Sequence, residues 1–287
     1  MSDERTGSEA VGIDETVERT RRRLLDAAQR IIEQHGGLGV SLDLTMDEVR
    51  EEAGVSRSTM YRAWTNRDQF EADVMCDLAG PTWQGTAAFD EETIRLAQTI
   101  VAERITELAT PEGRDRVLRE TVRRAANRNF EAVIASPQWR SYVALAATAG
   151  TLSNKDTQAA VRAALQEAEA NFLTRMAAFY DSMSKILGVR LRDPALGLER
   201  LAAVGAAVVE GMGLREVTAP DYAREGITVA GPGGPEQWNL AAWGFYGVLQ
   251  QFMELDPAYD FGEALEAYLK NLAAGVGGSP SAVEPAP

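Results

Sequence analysis

Residues 45–70 read TMDEVREEAGVSRSTMYRAWTNRDQF, and the fold follows from how this stretch must bend. Thr45 opens T-M-D-E, where its hydroxyl can cap the N–H three residues on while Glu48 reaches back, so a helix starts at about Met46. Gly54 ends that helix, because a tight turn between two steeply crossing helices needs a residue that tolerates positive φ. Ser56 can cap the next helix. Val49, Ala53, Val55, Met60 and Ala63 fall on the inward faces, and Arg57, Ser58, Thr59, Tyr61 and Arg62 on the outer side of the second helix. Such an outer side suits a duplex: arginine forks onto guanine, hydroxyls donate or accept, and tyrosine reaches phosphate.

Outward from this pair, Leu24, Leu25, Ala28, Ile31 and Ile32 recur at helical spacing in a first helix from about Asp14, stopped by Gly36 and Gly37. Short helices are expected at 46–53, 57–64 and 67–79, and longer ones at 91–109, 113–134, 137–148, 155–187, 195–215, 236–254 and 259–273, punctuated by Pro111, Pro137, Gly150, Gly188, Pro194 and Pro257. Strand-like alternation is confined to Ile227–Ala230, read as part of a Pro/Gly-rich connection. Residues 1–14 and the Gly/Pro/Ser-rich 275–287 are expected to be disordered.

The net charge is −14, yet residues 15–70 hold nine basic and ten acidic side chains, so the acidity lies mostly elsewhere. Two acid-free stretches, Arg19–Leu25 and Ala53–Arg67, can present local positive potential, which is what phosphate binding requires. The N-terminus has no apolar signal core, no run is long and apolar enough for a membrane span, and the single cysteine, Cys76, fits a reducing compartment, so a cytoplasmic location is expected. His35 stands beside the helix-ending glycines, and H-E-x-x-H, C-x-x-C and G-x-S-x-G are absent, so no catalytic residue, metal or cofactor is expected. ITVAGPGGPEQW imitates a glycine-rich phosphate loop but lacks the G-x-G-x-x-G spacing.

The stretch from Thr45 to Phe70 resembles the N-terminal domain of the tetracycline-repressor (TetR) family. The resemblance lies in the Ala53-Gly54-Val55-Ser56 turn, the Met60-Tyr61 pair, an aromatic three residues on (Trp64), a basic residue opening the next helix (Arg67), and Phe70. It covers about residues 15–78 by motif and departs from the family at Arg50, where a small residue is usual; the long side chain must snorkel outward. It implies an all-α chain: a three-helix helix-turn-helix domain at 15–78 and a larger helical ligand-binding and dimerisation domain at 79–274. It implies a regulator, usually a repressor, that binds a double-stranded, pseudo-palindromic operator as a homodimer and is released by a small, hydrophobic effector. Expected DNA contacts are Arg22, Thr45, Ser56, Arg57, Ser58, Thr59, Tyr61, Arg62, Trp64 and Arg67.

Aromatic and methionine residues suited to an apolar pocket are Phe130, Trp139, Tyr142, Phe172, Met176, Phe179 and Tyr180, although such stripes also serve as plain core. A dimer interface is expected from Leu201, Gly205, Val208 and Met212 on one helix with Trp238, Ala242, Phe245, Leu249 and Phe252 on another, unless both stripes pack within the subunit. The competing readings are an effector-independent dimeric DNA-binding protein and a regulator controlled by a protein partner.

Overall fold

Capping and glycine placement divide the chain into helices much as the periodicities imply. The structure, a computed structural model, describes residues 4–39, 44–80 and 90–273, with side chains described from residue 17 to 271 within them. Among the described residues are twelve α-helices and four short strands. Two compact units result: Met1–Gly85 with Ser136–Glu169, and Thr86–Ala135 with Ala170–Pro287. Residues 136–169 thus group with the N-terminal helices, where a boundary near residue 78 was expected.

In the first unit α1 (Glu4–Gln34) begins ten residues before the expected start at Asp14, so residues 4–14 continue the helix instead of forming a disordered arm. Glu, Arg and Ala favour helix there and no proline interrupts it. Gly36 and Gly37 end α1 at φ 85° and 113°. In α2 (Met46–Ala53) the box forms: Thr45 Oγ1 accepts from Glu48 N at 3.2 Å, and Thr45 N donates to Glu48 Oε2 at 2.9 Å. Gly54 takes φ 62°. Then α3 (Arg57–Ala63) starts where Ser56 Oγ accepts from Thr59 N at 3.2 Å, and α4 (Arg67–Ala79) where Asn66 accepts from Gln69 N.

Two later elements complete this unit, α7 (Pro137–Thr148) and the first half of α8 (Lys155–Leu187). The end of α1 is clamped by α7: Arg140 Nε donates to Gly36 O at 2.6 Å, Leu38 N to Ser141 Oγ at 2.8 Å, and Gln138 Nε2 to Glu33 Oε1 at 2.7 Å. One core joins Leu24, Ala28, Val49, Met60, Trp64, Phe70 and Val74 with Leu145 and Val161.

The second unit holds α5 (Glu91–Glu103), α6 (Pro111–Ala135), the rest of α8, α9 (Leu198–Thr218), α10 (Pro220–Arg224), α11 (Leu240–Phe252) and α12 (Phe261–Ala273). The expected helix 236–254 is shorter because strands flank it. Ile227–Gly231 (β2), expected to be an unpaired connection, forms an antiparallel hairpin with Gly234–Trp238 (β3) around Pro232-Gly233, and Val189–Leu191 (β1) pairs with Met253–Leu255 (β4). An antiparallel hairpin offers no phosphate cradle of the parallel βαβ kind. Arg119 fastens it: its Nε meets Glu236 Oε2 at 2.6 Å and its guanidinium lies 5.2–5.6 Å from the rings of Trp238, Trp243 and Tyr246. The expected disordered tail at 275–287 lies outside the described residues.

Trp64 anchors the first unit. It is 1% exposed, its Nε1 donates to Asp73 Oδ2 at 2.7 Å, and it meets Phe70 edge to face. Replacing Trp64 by Ala should cost about 3–5 kcal/mol in denaturant unfolding, and by Phe roughly 1–2 kcal/mol, mostly the lost hydrogen bond. Hydrogen bonds from Thr45 hold the Glu48 carboxyl below its ordinary range. A lowered folded-state pKa gives stability that is complete above the unfolded value and is lost as pH falls through the folded one. Melting curves of wild type and Glu48→Ala should therefore differ at neutral pH and converge in acid.

Candidate functional site

The outward side of α3 is built from both of its ends. Gly54 sets the angle between α2 and α3, and Met60, 1% exposed, together with Trp64 ties the inner side to the core. What is left outside is Arg57, Ser58, Tyr61 and Arg62, all exposed. Arg57 lies over the Tyr61 ring at 5.8 Å, and its pKa is raised chiefly by hydrogen bonding to Tyr61, so guanidinium and phenol present themselves as a pair. Thr59 is half-buried; its Oγ1 shares a 2.8 Å hydrogen bond with Ser56 Oγ, which also touches Ser58 Oγ at 2.9 Å. Ser56 and Thr59 therefore order the start of α3, and Thr45 is engaged in its capping box.

The other expected contacts fare differently. Trp64, expected at the DNA, is buried: at the C-terminal cap of α3 its large ring turns inward, and its only polar atom is taken by Asp73. Arg22 pairs with Asp26 and with Asp77 of α4, and its pKa is raised chiefly by the Asp77 hydrogen bond. Arg21 pairs with Asp73 and lies over Trp64. Arg67 is exposed beside Glu71 on α4. Arg50 is half-buried and pairs with Asp47 and Glu51 of its own helix, so it stays folded against α2. Arg23, one of the arginines of the acid-free Arg19–Leu25 stretch, brings its guanidinium within 3.4 Å of where a Cβ on Gly54 would stand, at the helix-turn-helix bend.

The second unit contains two adjoining cavities of about 80 Å³ each. Phe172, Met176, Phe179 and Tyr180, expected at a pocket, do line the first, and Phe179 and Tyr180 also line the second. Phe130 is buried in this unit without lining either. Trp139 and Tyr142 belong to the other unit: Trp139 is core, and Tyr142 donates to Glu169 at 3.1 Å. They stand on α7, whose role is to support α1, so they are not pocket residues.

The expected dimer stripes largely face each other. Leu201, Gly205, Trp238, Ala242 and Leu249 are buried within the subunit. Phe245 lines both cavities, and Val208 closes on Gly244, where a Cβ would stand 2.9 Å from its Cγ1. Met212 and Phe252 are half-buried, Phe252 against the subunit core. Gly205 and Gly244 serve the approach of α9 to α11 within the subunit. On the outer side of α9, Val204, Leu214 and Val217 remain 42%, 49% and 73% exposed, with open space at Gly211.

A capped short helix held by its inner side, with basic and aromatic groups on the outer one and a glycine bend before it, is a helix-turn-helix DNA-binding domain. Residues 24–72 match the family model described as bacterial regulatory proteins, tetR family. The chain thus carries a DNA-binding domain of the tetR type at its N-terminal end, that of a DNA-binding transcriptional regulator. No curated protein matches it. No helix among the described residues is long and apolar enough to cross a membrane.

Tyr61→Ala and Arg62→Ala should each reduce affinity for a selected duplex by at least tenfold, about 1.4 kcal/mol, in fluorescence anisotropy with an unchanged melting temperature. Wild-type affinity in both variants would remove α3 from the interface.

Proposed function

We propose that the chain is a homodimeric repressor that leaves a pseudo-palindromic operator when a small hydrophobic molecule enters its second unit. The observation that carries this reading is the pair of apolar cavities inside a subunit whose other unit is a DNA-binding domain. Cavities walled by aromatic and aliphatic side chains favour apolar ligands, and a ligand changes DNA affinity only by binding one conformation better than another. One helix belongs to both units: α8 contributes Val161 to the helix-turn-helix core and Phe172 to Tyr180 to the cavity wall. In this reading α8 is the element that links ligand binding to DNA binding. Repression is the mode usual in the family.

Dimerisation is supported by the apolar outer side of α9. Val204, Gly211, Leu214 and Val217 recur three to seven residues apart on one helix side and are uncovered in the single subunit. A twofold axis beside such a stripe buries it against its own copy and sets two reading helices about 34 Å apart, one turn of duplex. The net charge of −14 opposes non-specific attachment, so specificity must come from the few contacts of α3.

Selecting bound duplexes from a random pool should return an inverted repeat. Leu214→Glu combined with Val217→Glu should convert a dimer to a monomer in sedimentation and abolish binding to that repeat. A unique, unrepeated site bound by a monomeric wild type would overturn the dimer reading.

A further inference from the structure

Resting on the effector reading above, we infer that the two cavities form one elongated site for an uncharged, largely apolar molecule carrying a single hydroxyl or carbonyl group, which Thr121 anchors. The cavities share Ala125, Phe179, Tyr180 and Phe245. Along α6, Thr121, Ala125 and Asn129 stand at i, i+4 and i+8, one side of one helix. Thr121 lines the second cavity, Asn129 the first, and Ala125 their junction, so the wall runs about 12 Å from one polar side chain to the other. Tyr180 stacks on Phe245 with centroids 6.2 Å apart, and both rings line both cavities.

Thr121 is the telling residue. It is 6% exposed, yet its Oγ1 has no hydrogen-bond partner, not even the carbonyl one turn back that helical threonines use. Native buried hydroxyls are nearly always bonded, and one facing an apolar cavity without a partner is suited to receive one from a ligand. The charge of that ligand follows from the walls. The second cavity has no charged lining residue. The first has Asp90, whose carboxylate already accepts from the backbone N–H groups of Glu92 and Thr93 and from Thr93 Oγ1, with Arg128 3.5 Å away. Burial keeps the Tyr180 phenol neutral by raising its pKa. A carboxylate would enter with no cation to meet it, and an ammonium in the second cavity with no anion, so either pays heavily in lost hydration.

The test uses the full chain and the neutral fluorescent probe N-phenyl-1-naphthylamine, displaced at neutral pH by 1-octanol or by octanoate. Octanol should displace the probe at a concentration at least about tenfold below octanoate, since the acid must be desolvated unpaired. Thr121→Val, which keeps the shape and removes the hydroxyl, should weaken octanol about fivefold while leaving probe affinity unchanged, and Thr121→Ser should restore it. Thermal melts establish that both variants fold. If octanoate competes equally, the uncharged character of the ligand is overturned; if Thr121→Val leaves octanol affinity intact while the probe still binds, the anchoring role is overturned; in either case the effector reading stands. If octanol binds through Thr121 but never releases the selected duplex, the site stands and its effector role falls. A wild type that binds no probe overturns both.

Discussion

A seven-residue helix cannot hold itself together in water, and everything the first unit does depends on α3 being held from behind. Nucleating so short a helix is unfavourable, and its stability has to come from packing. Met60 and Trp64 supply it from one side of α3, Ser56 secures the N-terminus, and Gly54 allows the turn that brings α2 and α3 into one core. Trp64 does more than fill space. By engaging Asp73 and Phe70 it fixes α3 to α4, while Arg21, lying over the same ring and paired with the same carboxylate, fixes α1 to both. The exposed Arg57, Ser58, Tyr61 and Arg62 are thereby displayed on a rigid support, the condition for side chains to read base edges at fixed positions.

The local chemistry of this support is legible in sequence because it is local. A capping box, a glycine at positive φ and a serine cap each act within four residues, and the structure has all three where the sequence has them. Tertiary destinations are a different matter. An amphipathic stripe says that a helix side is covered, not by what. Leu201, Gly205, Trp238 and Leu249 fit a subunit interface as well as a core, and only the fold shows that α9 and α11 cover each other. Trp139 and Tyr142 look like pocket aromatics until α7 is seen clamping the end of α1. Trp64 likewise stands where the outer side of α3 would continue, but the helix ends at Ala63 and the extended backbone at Trp64 turns the ring inward. The hairpin was hidden because β3, GPEQW, has none of the β-branched alternation that marks a strand.

The same close packing that hid the role of α9 also explains why the second unit holds a void. Gly205 leaves no room for a side chain: a Cβ there would stand 2.5 Å from Phe245 Cε2. With Gly244 facing Val208 in the same way, the two helices approach until ring meets backbone. Ala125, Ala202 and Ala206 then line the first cavity with side chains too short to fill it, while Tyr180 and Phe245, stacked on one another, cannot swing in together. A core closed by glycine contacts and walled by alanines carries its void as part of its packing, because filling it from either side would separate helices that are already in contact. A void forfeits dispersion contacts, so this packing costs stability. The small residues give up that stability for interior space, on whose wall stands Thr121 with no partner for its hydroxyl.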